Sequence, residues 1–572
     1  MPQEQELYDL AIIGGGPAGY TSAFEARKQG LSVVLFEKDK IGGVCLNKGC
    51  IPTKAILHSA ELYEEMKCAQ DLGISAENLS FDYEKIIEHK DKIVEKLRKN
   101  LELALKNAGV KVVYKEVWMS GGMEVWQLLE EQRAGRQEGV SEGRKFGGQE
   151  VRLFNKSSLS ELSQSQQTDT DLSPYRPIAL SPFLITANDE IFKCKKLIIA
   201  TGSEPKDFPT LRFDHEFVLN SDDILNLKKL PKNILIIGSG AIGIEWARIF
   251  SAFDVEVSIV ETAEHLLPIA DIEVSKRIER IFKSKKIKMY LSNTVEKIEP
   301  PLSKGGVCEA DGGILTTTIP SKQGKVYLKS GEILEPECVL LAVGRKPVEA
   351  AKQLSSYAAK LDNSETLQAQ QIDKLAYPPL EGGSKSLISG WGNISDNNLS
   401  TVQPFNPSTK NDLAAQPPSC LAALPTIQPA SILGDACGKI QLAHFAIKQA
   451  IKEVSGIDFD ETLVPSVVYG NPEIAWVGKR EQDLEEGTYQ KSNLLISALG
   501  KSHCDNSTDG FIKILSQNGK ILGAHIVSKE ASSLIQQITI AMQNSITIDD
   551  IKKVCFAHPT YSEGIFESIM KF

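Results

Sequence analysis

Two stretches of this 572-residue sequence place reactive side chains close together. In "GGVCLNKGCIPTK", Gly42 to Lys54, the thiols of Cys45 and Cys50 sit among small and polar neighbours. Such a pair can be a metal clip, a structural disulfide, or a couple that cycles between thiol and disulfide. In "AHPTYSE", His558 precedes Glu563 by five positions. An imidazole titrates near neutrality, with an ordinary pKa of about 6.5, so it can take a proton from a thiol. The carboxylate can orient the ring and stabilise its charged form. Thiol chemistry of this kind also needs somewhere for electrons to go.

Two glycine-rich turns offer that destination. "DLAIIGGGPAGYTSAFEARKQGLSVVLFE" carries Gly14, Gly16 and Gly19 between two apolar runs and ends at Glu37. "NILIIGSGAIGIEWARIFSAFDVEVSIVE" repeats the design with Gly238, Gly240, Gly243 and Glu261. The first glycine permits a tight turn, the second lets backbone approach a pyrophosphate, and the third lets helix and strand pack closely. The helix N-terminus then faces the phosphates with its positive dipole end. The acid closing each unit can accept from ribose hydroxyls. A carboxylate at Glu261, with no arginine in its place, repels a 2′-phosphate, so the second unit favours NAD over NADP. A chain with two dinucleotide sites is suited to passing electrons between them.

The elements that must hold these groups read as α/β. Two Rossmann-like units are followed by a C-terminal α+β unit, whose strand-like runs include "VPSVVYGNPEIAWVG" and "GFIKILSQNGKILGAHIV". The expected divisions are 1–204 and 347–460 for the first nucleotide-binding unit, 205–346 for the second and 461–572 for the last. Three strand-like runs end in turns: "KKLIIATGSEP", "CVLLAVGRKP" and "ASILGDACG". In the third, Asp435 follows Gly434 and can receive a ribityl hydroxyl. Polar stretches of about 118–182 and 348–424, rich in Gly, Ser, Gln and Asn, read as surface insertions. The Asn-x-Ser matches at Asn155, Asn393 and Asn398 fall there and read as chance.

Composition excludes several classes. Hydrophobic content is 42% and charged content 24%, as in soluble globular proteins. The net charge of −10 lacks the basic footprint of a nucleic-acid binder. No apolar run reaches membrane-spanning length. The acidic, polar start "MPQEQELYDL" does not resemble a secretory signal, so a cytoplasmic location is expected. The other eight cysteines form no metal-like doublet, and no metal site is expected.

Together these motifs identify a resemblance. "GGGPAGY", "GGVCLNKGCIPTK", "ATGSEP", "GSGAIGIEWA", "VGRKP", "LGDACG", "LAHFA", "PEIAWVG" and "AHPTYSE" occur in one order along the chain. The sequence resembles the flavin-dependent pyridine nucleotide–disulfide oxidoreductases, and among them the members that oxidise dihydrolipoyl groups. The match covers roughly three quarters of the chain, leaving out the two insertions and a widened loop at 301–325. A zinc site would need further ligands that are not evident, and a reducing compartment disfavours a structural disulfide, so the cysteine pair reads as redox-active.

The resemblance implies FAD in the first unit and NAD in the second. Cys45 would be the thiol that meets substrate, and Cys50 would lie against the flavin. Lys54 would approach the flavin and pair with Glu245. Thr201, Gly202, Gly344, Gly434, Asp435 and Ala443 would line the cofactors. His444 would lie near the flavin ring, as either packing or a direct contact. A homodimer is implied, with His558 serving the cysteines of the other subunit. The expected partner is a lipoyl-bearing acyltransferase or carrier on a separate chain, because no lipoyl-like domain precedes Tyr8. Two departures stand out. "YKEVWMSGG" lacks a glycine often found near the adenine of FAD, and "SALGKSHCDNSTDG" lacks the arginine usual in that loop.

Overall fold

The computed structural model describes residues 6–119, 144–146, 149–151, 183–187, 190–301, 323–348 and 430–572. Most of both polar insertions, the three Asn-x-Ser sites and most of the loop at 301–325 lie outside these residues.

The first unit is built on the strand Leu7–Ile13. It pairs in parallel with Val33–Glu37 on one side and Glu190–Ile199 on the other. Lys111–Tyr114 extends the first edge, and Ala430–Ile432 adds in parallel to Glu190–Ile199. Leu10, Ala11 and Ile12 are wholly buried, as expected of a parallel strand covered on both faces. Phe183–Ala187 pairs antiparallel with Glu190–Ile199, and Trp118–Met119 then pairs with Phe183–Ala187. The expected insertion therefore begins too early: Trp118 and Met119 belong to the sheet, because the strand at 183–187 offers them a free edge. A short ladder, Arg144–Phe146 with Gln149–Val151, lies within the same stretch.

The second unit is a five-stranded parallel sheet. Its order is Val218–Leu219, Cys338–Leu341, Asn233–Ile237, Glu256–Val260, Lys288–Tyr290. The C-terminal unit is an antiparallel five-stranded sheet, with Lys520–Ser528 between Glu473–Gly478 and Phe511–Gln517. The helix Ala531–Gln543 buries Leu534, Ile535 and Ile538 on one side, at helical spacing.

One core cluster joins the three units, and the cysteine-bearing helix runs through it. Ile56, Leu57 and Ala60 of the helix Cys50–Lys67 pack with Ile244 and Ala247 of the second unit and Val468 and Trp476 of the last. Each such large aliphatic side chain contributes about 1.5–3 kcal/mol on burial. That packing fixes the azimuth of the helix and so the direction in which Cys50 and Lys54, one turn apart, face. A second tie is polar. Lys513, wholly buried, bonds Asp271 at 2.9 Å and also pairs with Glu481, joining the second unit to the C-terminal sheet.

Candidate active site

The cysteine motif folds as two helices rather than one. Cys45 lies in the short helix Gly43–Lys48, and Cys50 is the first residue of the helix Cys50–Lys67. Gly49 breaks the run at φ −150°, ψ −109° and provides no side-chain cap. The Cys50 N–H, first of the long helix, is thus left to the two cysteine sulfurs, whose charged forms it favours.

Neither cysteine is in a disulfide, and their side chains are within hydrogen-bond reach. A hydrogen bond from Cys45, helped by the charge of Lys54, holds the Cys50 thiol down to about 7, against burial and the opposing charge of Glu245. The same contact, with burial and repulsion from Cys50, pushes Cys45 far up. One proton is shared, and the thiolate resides on Cys50. Uptake of an alkylating reagent by the reduced pair should therefore rise through pH 7 and level off about a unit above. A midpoint near the ordinary thiol value of about 8.5 would contradict this assignment.

Lys54 Nζ donates to both carboxylate oxygens of Glu245, at 2.9 and 2.8 Å. Glu245 is nearly buried, and its Oε1 also accepts the Tyr469 N–H at 3.0 Å. The Tyr469 ring lies 4.5 Å from Lys54 Nζ, a cation–π contact. Arg248, one turn beyond Glu245, donates to the Tyr469 and Pro472 carbonyls at 3.1 and 2.7 Å. Sequence reasoning missed Tyr469 and Arg248. Both lie beside quoted motifs, but their contacts cross between units.

The nucleotide cradles have the shapes their glycines imply. A Cβ on Gly14 would stand 2.2 Å from the Ala200 carbonyl, and one on Gly19 would stand 1.8 Å from the Gly14 carbonyl. At Gly16 the nearest atom would be 3.7 Å away, leaving that backbone face open. Gly238 and Gly243 are closed in the same way at 2.6 and 2.1 Å, and Gly240 has nothing within 4 Å. The helices Pro17–Lys28 and Ala241–Ala252 lack side-chain caps, so their first amides are available to phosphate. Thr201 Oγ1 is buried without a partner, an orphan that a flavin cofactor can satisfy. These features fit FAD in the first unit and NAD in the second.

The turns after the strands converge. Ser203–Pro205 pairs antiparallel with Arg345–Pro347, which leaves Gly202 at one end of the ladder, bonded to the Val348 N–H, and Gly344 at the other, bonded to the Lys206 N–H. Arg345 Nε donates to Ser203 Oγ at 2.9 Å, and Ser203 Oγ donates to Asp435 at 2.6 Å. Asp435 is thus held by a chain of bonds from the second unit; Arg345 was visible in "VGRKP" but had no assigned task. Gly434 sits at φ +66°, with the Ala18 and Ala446 methyls 3.2 Å from any added Cβ. Ala443 opens the uncapped helix Ala443–Ser455. His444 Nε2 meets the Pro465 carbonyl at 2.8 Å, which ties this helix to the start of the C-terminal unit.

At the far end of the chain, His558 Nδ1 lies 2.7 Å from Glu563 Oε1. Glu563 Oε2 accepts the Thr560 N–H at 2.8 Å. That amide bond, then His558, hold the Glu563 carboxyl below its usual range. His558 is largely exposed. Among the described residues, no hydrogen bond or ion pair joins it to Cys45 or Cys50. The loop lacking the expected arginine offers Lys501, paired with Asp505 at 2.9 Å, and His503, whose Nε2 meets the Ser497 carbonyl. Among the described residues no group of three or more His, Cys, Asp or Glu is arranged to hold a metal ion. Among them, too, no helix is long and apolar enough to cross a membrane.

Residues 8–369 match the pyridine nucleotide-disulphide oxidoreductase family, and residues 464–569 match its dimerisation domain. The chain belongs to this family: it is a flavoprotein disulfide oxidoreductase that works with FAD and NAD. Among its relatives is the dihydrolipoyl dehydrogenase of Bacillus subtilis (strain 168), 27% identical over 98% of this chain and 97% of its own length. The mitochondrial dihydrolipoyl dehydrogenase of Pisum sativum is 29% identical, covering 98% and 91%. Among solved structures, LpdA from Mycobacterium tuberculosis superposes with a TM-score of 0.67 at 19% identity, covering 98% of this chain and 99% of that one. The HOCl-induced flavoprotein disulfide reductase RclA from Escherichia coli gives 0.63 at 20%, covering 98% and 99%. At these identities the two structures bear on the fold.

Proposed function

We propose that the chain oxidises protein-bound dihydrolipoyl groups and reduces NAD, as a component of 2-oxo acid dehydrogenase or glycine-cleavage systems. The observation that carries this reading is the Glu261 carboxylate at the end of the second nucleotide unit. It is only 9% exposed, and its charge is maintained there by the Ala263, Ser239 and Thr262 hydrogen bonds, which outweigh burial. A fixed negative charge suits a free ribose and opposes the NADP that a glutathione-type reductase would use. The names of the relatives support the lipoyl substrate.

In this reading His558, oriented by Glu563, takes a proton from the substrate dithiol. The substrate thiolate attacks Cys45 in the oxidised pair, forming a mixed disulfide and releasing Cys50 as thiolate. The second substrate thiol resolves the bond, so substrate leaves as the cyclic disulfide and Cys45 and Cys50 are both reduced. FAD, held by the cradle of Gly14, Gly16, Gly19 and Glu37, would supply the two-electron carrier between the reduced pair and NAD, and Cys45 and Cys50 would lose their electron pair and protons to close again as the disulfide. Lys54, held by Glu245 and Tyr469, keeps positive charge beside the Cys50 thiolate. His558 acts across a homodimer on the cysteines of the second subunit. Ile540, Met570 and Leu495, each more than half exposed on the dimerisation domain, are apolar surface for that contact. The lipoyl group arrives on a separate chain, an acyltransferase or carrier protein.

The test is a paired assay of the purified holoenzyme: dihydrolipoamide with NAD against glutathione disulfide with NADPH. The first pair should be favoured by at least about a hundredfold in kcat/KM, within the range a binding site gives by differential contacts. A preference for the second pair would overturn the substrate assignment.

A further inference from the structure

The two ribose-facing acids are presented differently. Glu37 accepts one N–H on each oxygen, from Gly15 at 2.8 Å and from Asp39 at 2.8 Å. A carboxylate has about four lone-pair sites, so each Glu37 oxygen keeps one free. Glu261 has none free. Its Oε2 accepts the Ser239 N–H at 2.8 Å and the Ser239 hydroxyl at 2.7 Å. Its Oε1 accepts the Thr262 hydroxyl at 3.0 Å and the Ala263 N–H at 2.9 Å.

A ribose hydroxyl can therefore reach Glu261 only by displacing a donor. The two amides are fixed by the backbone. The Ser239 hydroxyl is wholly buried and accepts the Leu267 N–H at 3.3 Å. Turning it away would strand its proton in a dry site. Thr262 is exposed, and its hydroxyl can turn to water at little cost. We propose that Thr262 is an affinity-setting residue whose hydroxyl yields its place on Glu261 each time NAD binds. The exchange offsets part of the gain from the ribose contact, which keeps NAD replaceable, whereas FAD meets an acid with open acceptors and is retained. The inference rests on Glu261 being the ribose acceptor.

Calorimetric titration of the oxidised holoenzyme with NAD tests it. In Thr262→Val, which keeps the shape and removes the hydroxyl, the Kd for NAD should fall about three- to tenfold, the scale of one net hydrogen bond. Thr262→Ser, which keeps the hydroxyl, should match the unmodified enzyme, and FAD content should be the same in all three. A Thr262→Val Kd that is unchanged or higher overturns the exchange. If no form binds NAD, the reading of Glu261 falls with it, and that outcome is recognised by the failure of the unmodified enzyme.

Discussion

Replacing Cys45 by Ser should lower dithiol turnover at least about a thousandfold while leaving FAD bound, because a serine hydroxyl can neither form the mixed disulfide nor close the pair again. FAD retention follows from the geometry. The cradle of Gly14, Gly16, Gly19 and Glu37 belongs to a strand–helix–strand unit built without the Cys45 side chain. The expected result is a yellow, folded, inactive protein that still carries a reactive thiol at Cys50. Turnover of dihydrolipoamide near the normal rate in that variant would sink the relay.

The second large effect concerns His558. Removal of a positioned general base typically costs about 10²–10⁴ in rate, so His558→Gln should fall in that range. Its exposure in the single chain, with no bond to either cysteine, makes the subunit arrangement testable by mixing. Chains carrying Cys45→Ser and chains carrying His558→Gln are each inactive. If the site is shared between subunits, a heterodimer of the two has one defective site with both lesions and one intact site. Activity should then reappear when the variants are unfolded and refolded together. If each chain completes its own site, every site in the mixture carries a lesion and no activity returns.

Much of this could be read from residue types and spacing, for a physical reason. A glycine demanded by a 2 Å approach, as at Gly14 or Gly19, leaves a mark at a fixed offset from its strand. His558 and Glu563 are one turn of local chain apart, so their meeting is also local. What was not legible depends on chain segments that meet only after folding. Tyr469 reaches Lys54 from the C-terminal unit, and Arg345 reaches Ser203 across two units. The break at Gly49 was hidden because a glycine between two helix-compatible runs does not announce its ψ. Trp118 and Met119 read as part of an insertion because a two-residue strand carries no period, and only the edge of Phe183–Ala187 makes them one. The saturation of Glu261 was invisible for a different cause: the acid was expected, but not which hydroxyls would crowd it.

The central claim is that electrons from a dithiol pass through Cys45 and Cys50 before they reach NAD. One anaerobic experiment addresses it directly. The oxidised holoenzyme is mixed with one equivalent of dihydrolipoamide without NAD, and half of the sample then receives NAD. Thiols in both halves are captured by alkylation and located by mass spectrometry. The account predicts label at Cys45 and Cys50 in the first half. In the second half it predicts loss of that label, matched by one NADH per pair closed. NADH formed while Cys45 and Cys50 never become available for labelling would contradict it.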